Sequence, residues 1–112
     1  MSIEALTVVL HHSRAKHSAK LVLLGIANHY HPDDERGAWP SQDTLARYAN
    51  ITDRGVRKCL DELVRLGELR VESHGGPTRG MHKPNKYWNT LECPDDCDRS
   101  MNHRPKQPEL SD

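Results

Sequence analysis

The chain has 112 residues, enough for one modest core, and its 35% apolar content includes no Phe, so that core must rest on Leu, Val and Ile with a few Trp and Tyr. Its formal charge is zero, which alone argues against a nucleic-acid binder, but the charge is unevenly spread. Residues 41–91 carry nine bases against six acids and residues 92–112 carry three against six, so a mildly basic body is cancelled by an acidic tail.

Ile3, Leu6, Val9 and Leu10 recur at helical spacing, with Glu4 near the start where the helix dipole favours an acid. His11 to Ser18 is polar and reads as a connection, its histidines solvated. Lys20 to Tyr30 predicts a second, more apolar helix through Leu21, Leu24, Ile26, Ala27 and Tyr30. The stretch 31–37 (HPDDERG) is turn chemistry. Ser41 is a good N-cap for a short third helix, with Gln42 and Asp43 in its first turn and Leu45, Ala46, Tyr48 and Ala49 on its buried side. Asn50-Ile51-Thr52 interrupts it, and Thr52 caps a fourth helix whose apolar arc is Val56, Leu60, Leu63 and Val64. Gly67 suits the left-handed residue that ends this helix.

Beyond Gly67 the period changes to two, Leu69 and Val71 alternating with Glu68, Arg70 and Glu72 as in a half-exposed strand. Residues 73–85 hold three Gly and two Pro and form a long turn, and Tyr87, Trp88, Thr90 and Leu91 favour a returning strand. No apolar period survives after Cys93. The domain is expected to span 1–92, followed by a flexible acidic tail over 93–112.

Two helices joined by a tight turn and followed by a hairpin give a mainly α fold with a small β-hairpin (α+β). The stretch KLVLLGIANHY…WPSQDTLARYANITDRGVRKCLDELVRLGELRV resembles the winged helix-turn-helix family of phage and mobile-element regulatory and replication proteins, over residues 19–91. Its most specific parts are Trp39-Pro40-Ser41, Leu45-Ala46, the Thr52…Val56…Leu60…Leu63…Gly67 spacing and Asn85-Lys86-Tyr87. Gly55 departs from it, since such recognition helices usually carry Thr, Ser or another small side chain there. Gly costs about 1 kcal/mol of helix stability relative to Ala, so either the backbone approaches something closely or the first turn is weak.

The resemblance implies double-stranded DNA as partner. Recognition helices set their N-terminal residues against base edges, and Arg matches guanine O6 and N7, so Arg54, Arg57 and Asp53 are the expected base contacts. Lys58, Thr52, Ser41 and Gln42 are expected on the DNA backbone. From Ser73 to Leu91 no acid occurs, while Arg79, Lys83 and Lys86 are present with His74 and His82, a pattern suited to phosphate contact by the wing. The expected role is a transcriptional regulator or repressor. A replication-origin or excision accessory factor is the alternative within DNA binding, and a protein-interaction module the alternative outside it.

Weaker signals point elsewhere. Cys93 and Cys97 form a C-x3-C pair with His103 beyond, and His82 or Cys59 would complete a tetrahedral metal set. With no second Cys pair, and Cys59 inside a helix beside its apolar face, the preferred reading is a reduced thiol pair without metal or cofactor. Trp39 and Trp88 are expected in the core. The longest apolar run, Leu21 to Ala27, is too short to cross a bilayer, no leader pattern precedes the domain, and the cysteines form no disulfide scaffold, so a cytoplasmic protein is expected. No nucleophile elbow or phosphate-cradling loop occurs, and an enzyme is not expected. The apolar stripe of the first helix must be covered by its own domain or by a second copy, and a homodimer is expected.

Overall fold

The computed structural model describes residues 3–30, 37–72, 85–100 and 103. In chain order they form α1 (Ile3–His12), α2 (His17–Asn28), α3 (Gln42–Ala49), α4 (Asp53–Arg65), β1 (Leu69–Glu72) and β2 (Lys86–Asn89). This is a mainly helical α+β fold of the winged helix-turn-helix kind. The second helix starts three residues before Lys20, so the expected polar connection shrinks to residues 13–16.

The most apolar of the four, α2, sits at the centre and packs against α1, α3 and α4. Val22, Leu23 and Ile26 are fully buried from α2, and Val9, Leu45, Val56 and Leu63 meet them from the other three helices. Each fully buried aliphatic side chain contributes about 1.5–3 kcal/mol relative to exposure, and this cluster closes the core without any Phe.

The helix ends are set by the residues the caps require. Ser41 Oγ accepts from Thr44 N and Thr52 Oγ1 from Gly55 N, each at 3.1 Å. At the far end of α4, Gly67 takes φ +76°. Its N–H donates to Val64 O at 3.0 Å and Glu68 N–H to Leu63 O at 3.1 Å, the paired bonds of a left-handed helix stop.

The hairpin is antiparallel, pairing Leu69 with Asn89, Arg70 with Trp88, Val71 with Tyr87 and Glu72 with Lys86. Ala38, between α2 and α3, exchanges two backbone bonds with Tyr87, at 2.9 and 2.7 Å. That bridge covers the outer edge of β2 and holds the fully buried Tyr87 ring in the core.

Several expectations about burial fail. Tyr48 and Val64 are exposed, at 42% and 47%, so neither belongs to the core faces assigned to them. Tyr48 instead lies 2.8 Å by its hydroxyl from His29 Nε2 at the surface. Trp88 is half-buried on the hairpin's outer face, and Leu21 is exposed. Conversely, His12 is buried rather than solvated. Within the expected tail, Cys97 and His103 are buried as well, and His103 Nε2 lies 3.2 Å from Glu4 on α1. Residues 101, 102 and 104–112 of that tail lie outside the described residues.

The least expected buried group is Glu68, only 2% exposed in the turn from α4 to β1. Its carboxylate accepts from the Ser13 hydroxyl and, at 2.8 Å, from Arg14 N–H, while its backbone C=O accepts from Thr90 N at 3.0 Å. One residue thereby ties the α1–α2 link, the end of α4 and the segment just after β2 together. A buried donor left without a partner costs about 1–3 kcal/mol. Glu68→Ala strands two donors and is expected to destabilise the fold by about that amount or more, read as a lowered urea midpoint. An unchanged midpoint would show that water reaches Ser13 and Arg14.

Candidate nucleic-acid interface

Three residues, Asn50-Ile51-Thr52, separate α3 from α4, as their sequence predicts. Asn50 makes the turn possible by adopting φ 54° and ψ 47°, the left-handed region that Asn tolerates better than most residues. Ile51 N–H then donates to Ala46 O at 3.1 Å, closing the end of α3. Gly55 resolves in favour of close approach. A Cβ there would lie 3.3 Å from Ile51 Cβ, tighter than an ordinary contact, so the glycine lets α4 pack directly on the turn.

That turn sets the rotation of α4. Val56, Cys59, Leu60 and Leu63 share its buried face. Asp53, Arg54, Arg57, Lys58 and Asp61 therefore point outward, and all five are exposed. Among the described residues no ion pair engages Arg54, Arg57 or Lys58. By contrast, Arg47 on α3 is spent on Asp43, at 2.9 Å.

An open groove runs between α4, the start of α3 and the inner face of the hairpin. Gln42 and Arg57 both line it, so two of the expected contact residues face one channel. Asp61, Arg65, Val71 and the exposed Val64 line it too; Val64 thus faces the groove rather than the core.

The remaining expected residues are placed differently. The hydroxyls of Ser41 and Thr52 are occupied as cap acceptors, and Ser41 Oγ also shares a hydrogen bond with Thr44 Oγ1 at 2.9 Å. Lys86 lies on the hairpin face that also carries Arg70 and Trp88, opposite the face that meets α4. Its ammonium stands 4.9 Å from the Trp88 ring centroid and the Arg70 guanidinium 4.2 Å from it, a cation–π stack about the indole. Arg79, Lys83, His74 and His82 lie outside the described residues. Sequence reasoning missed Arg70, although strand alternation puts it opposite Trp88 once the register is known.

The cysteines separate clearly. Cys59 is held on the core side of α4, where burial, with a contribution from Glu62, pushes its thiol pKa up; it is not near the other two. Cys93, Cys97 and His103 do come together, and the fourth member of their group is His12 from α1. No helix among the described residues is long and apolar enough to cross a membrane.

The family described as "Helix-turn-helix domain" matches residues 16–68, from the start of α2 to the turn before β1. No curated protein and no solved structure matches the chain. The capped α3–turn–α4 unit lies wholly within the matched segment, so over residues 16–68 the chain is similar to a helix-turn-helix domain.

Proposed function

We propose that the protein is a sequence-specific double-stranded DNA-binding regulator, a repressor in the manner of the phage and mobile-element proteins its sequence resembles. The observation that carries this reading is the outer face of α4. Its cations are exposed and unpaired among the described residues, beside a groove of the right position to border DNA. Arg54 and Arg57 read base edges with Asp53, Lys58 holds phosphate, and Gln42, Ser41 and Thr52 contact the backbone from the two helix starts. Each Arg→Ala is expected to cost about 1–3 kcal/mol on the preferred site and to flatten discrimination between duplexes. Binding measured on selected and random DNA checks this, and equal losses on both would reduce the two arginines to phosphate contacts.

The wing supplies affinity without sequence. Replacing Arg79, Lys83 and Lys86 together with Ala should weaken binding to all duplexes alike. The slope of log affinity against log salt should fall by about 0.9 per lost phosphate contact. An unchanged slope would place the hairpin away from DNA.

The regulator acts as a homodimer. One module of this kind covers about 600–1,000 Å² against DNA, little from which to select a site, and pairing on a two-fold operator is the common remedy. Val9 packs α1 onto its own domain, but Ile3 and Leu10 on α1 and Leu21 on α2 stay about half exposed, and these side chains are the proposed seam. Sedimentation at micromolar concentration should give a dimer that Leu10→Lys with Leu21→Lys dissociates. A monomer of 12.8 kDa in the unaltered chain would remove the dimer from the proposal.

A further inference from the structure

We infer that His12, Cys93, Cys97 and His103 form a structural zinc site that fastens the segment after β2 to α1. Their ligand atoms lie within 4.8 Å of one another, and three of the four residues are buried. His12 Nε2 lies 3.1 Å from Cys97 Sγ, and His103 Nδ1 lies 3.2 Å from Cys97 Sγ and 3.3 Å from Cys93 Sγ. With Zn–S bonds near 2.3 Å and Zn–N bonds near 2.05 Å, a tetrahedral ion sets its S···N edges at about 3.6 Å. The three close S···N pairs need to part by only a few tenths of an ångström to admit one, and no two of the four donors are more than 4.8 Å apart.

Hydrogen bonding alone does not satisfy this cluster. A ring nitrogen offers one lone pair or one proton, yet His103 Nδ1 faces two sulfurs. Cys97 Sγ in turn faces two ring nitrogens, and also accepts from Arg99 N–H at 3.3 Å. His12 Nδ1 is buried with no partner. In every protonation pattern His103 Nδ1 has a single lone pair or a single proton to divide between the two sulfurs. A central cation takes a lone pair from each donor and removes the conflict.

The surroundings fit a metal further. The Glu4 carboxylate sits 3.2 Å from His103 Nε2, the outer-shell partner that orients a ligating imidazole. On binding, the two thiols release their protons to solvent, and Zn²⁺ with two thiolates and two neutral imidazoles is formally uncharged, which suits burial. Four protein ligands leave no open position, the mark of a structural rather than a catalytic centre. A group spanning 4.8 Å takes one ion, not an iron–sulfur cluster. The ligands lie 85 residues apart in sequence from His12 to Cys97, so the ion closes the domain end to end.

The test uses the full chain, stripped of metal under reducing conditions and titrated with Co²⁺, then Zn²⁺. One Co²⁺ per chain should bind with the visible bands and thiolate charge-transfer of a tetrahedral S₂N₂ site, and Zn²⁺ should displace it. Thermal unfolding should move up on zinc addition. Cys59→Ser should keep the spectrum, His12→Ala should lose it, and Glu4→Gln should weaken zinc affinity by about 10–100-fold. The proposal is overturned if the reduced unaltered chain gives no tetrahedral spectrum, or if the Cys93–Cys97 pair forms a disulfide that zinc does not prevent. It is overturned equally if a folded His12→Ala chain binds Co²⁺ with an unchanged spectrum.

Discussion

Everything outward-facing in this molecule depends on the burial of one side of α4. Val56, Leu60 and Leu63 must be covered, and among the described residues α2, α3 and β1 pack against the helix that carries them. A helix has no freedom to rotate once three side chains spaced over two turns are locked, so the direction of Arg54, Arg57 and Lys58 follows from the positions of the aliphatic residues. The short turn enforces the same outcome from the other end. Asn50 in the left-handed region and Gly55 against Ile51 together bring the start of α4 onto the end of α3. Apolar burial sets the angle and the turn sets the register, and the charged face is what remains.

The hairpin is held by a different physics. A two-stranded ribbon is marginal by itself, and β1–β2 has only four residues in each strand. It persists because Tyr87 is wholly buried, Ala38 bridges its edge, and Glu68 anchors its root to the α1–α2 link. A buried carboxylate with well-placed donors costs less than one without, but it still contributes more to geometry than to stability. Its effect is to fix where the wing leaves the body. The Arg70–Trp88–Lys86 stack then stiffens the outer face with cations that are not drawn into the core.

The parts of this architecture that were legible in the sequence are those with local causes. Ser41 and Thr52 announce helix starts because a hydroxyl can accept an N–H three residues on, and Gly67 announces a stop because it alone tolerates φ +76° without strain. Strand alternation at Leu69 and Val71 is equally local. What could not be read depends on partners distant in the chain. Val64 and Tyr48 have apolar character and helical spacing but fall at the margin of the face, where a neighbour's presence decides burial. Glu68 looked like an exposed strand residue because nothing near it in sequence reveals Ser13 and Arg14, more than 50 residues earlier. The interface residues were legible by type, yet only the three-dimensional arrangement puts Gln42 and Arg57 on one groove and Lys86 on another face.

His12 shows the same limit most sharply. As one of several histidines in a polar stretch it carried no distinguishing mark, while the thiol pair and His103 lacked a fourth ligand within reach of ordinary spacing rules. The fold supplies it by laying α1 beside the segment that follows β2. The core alone does not require that arrangement. α1 packs on α2 through Val9, and Leu91 packs on the core just after β2, but the residues from Glu92 onward bring little apolar surface to bury beyond Cys97. Glu4 with His103 and His12 with Cys97 are the contacts that hold its far part against α1. Without a cation these are a few polar approaches, two of which compete for the one lone pair or proton of His103 Nδ1. With one, they are four bonds to a neutral centre, strong enough to hold the two ends of the domain, and the root of the wing between them, in one position.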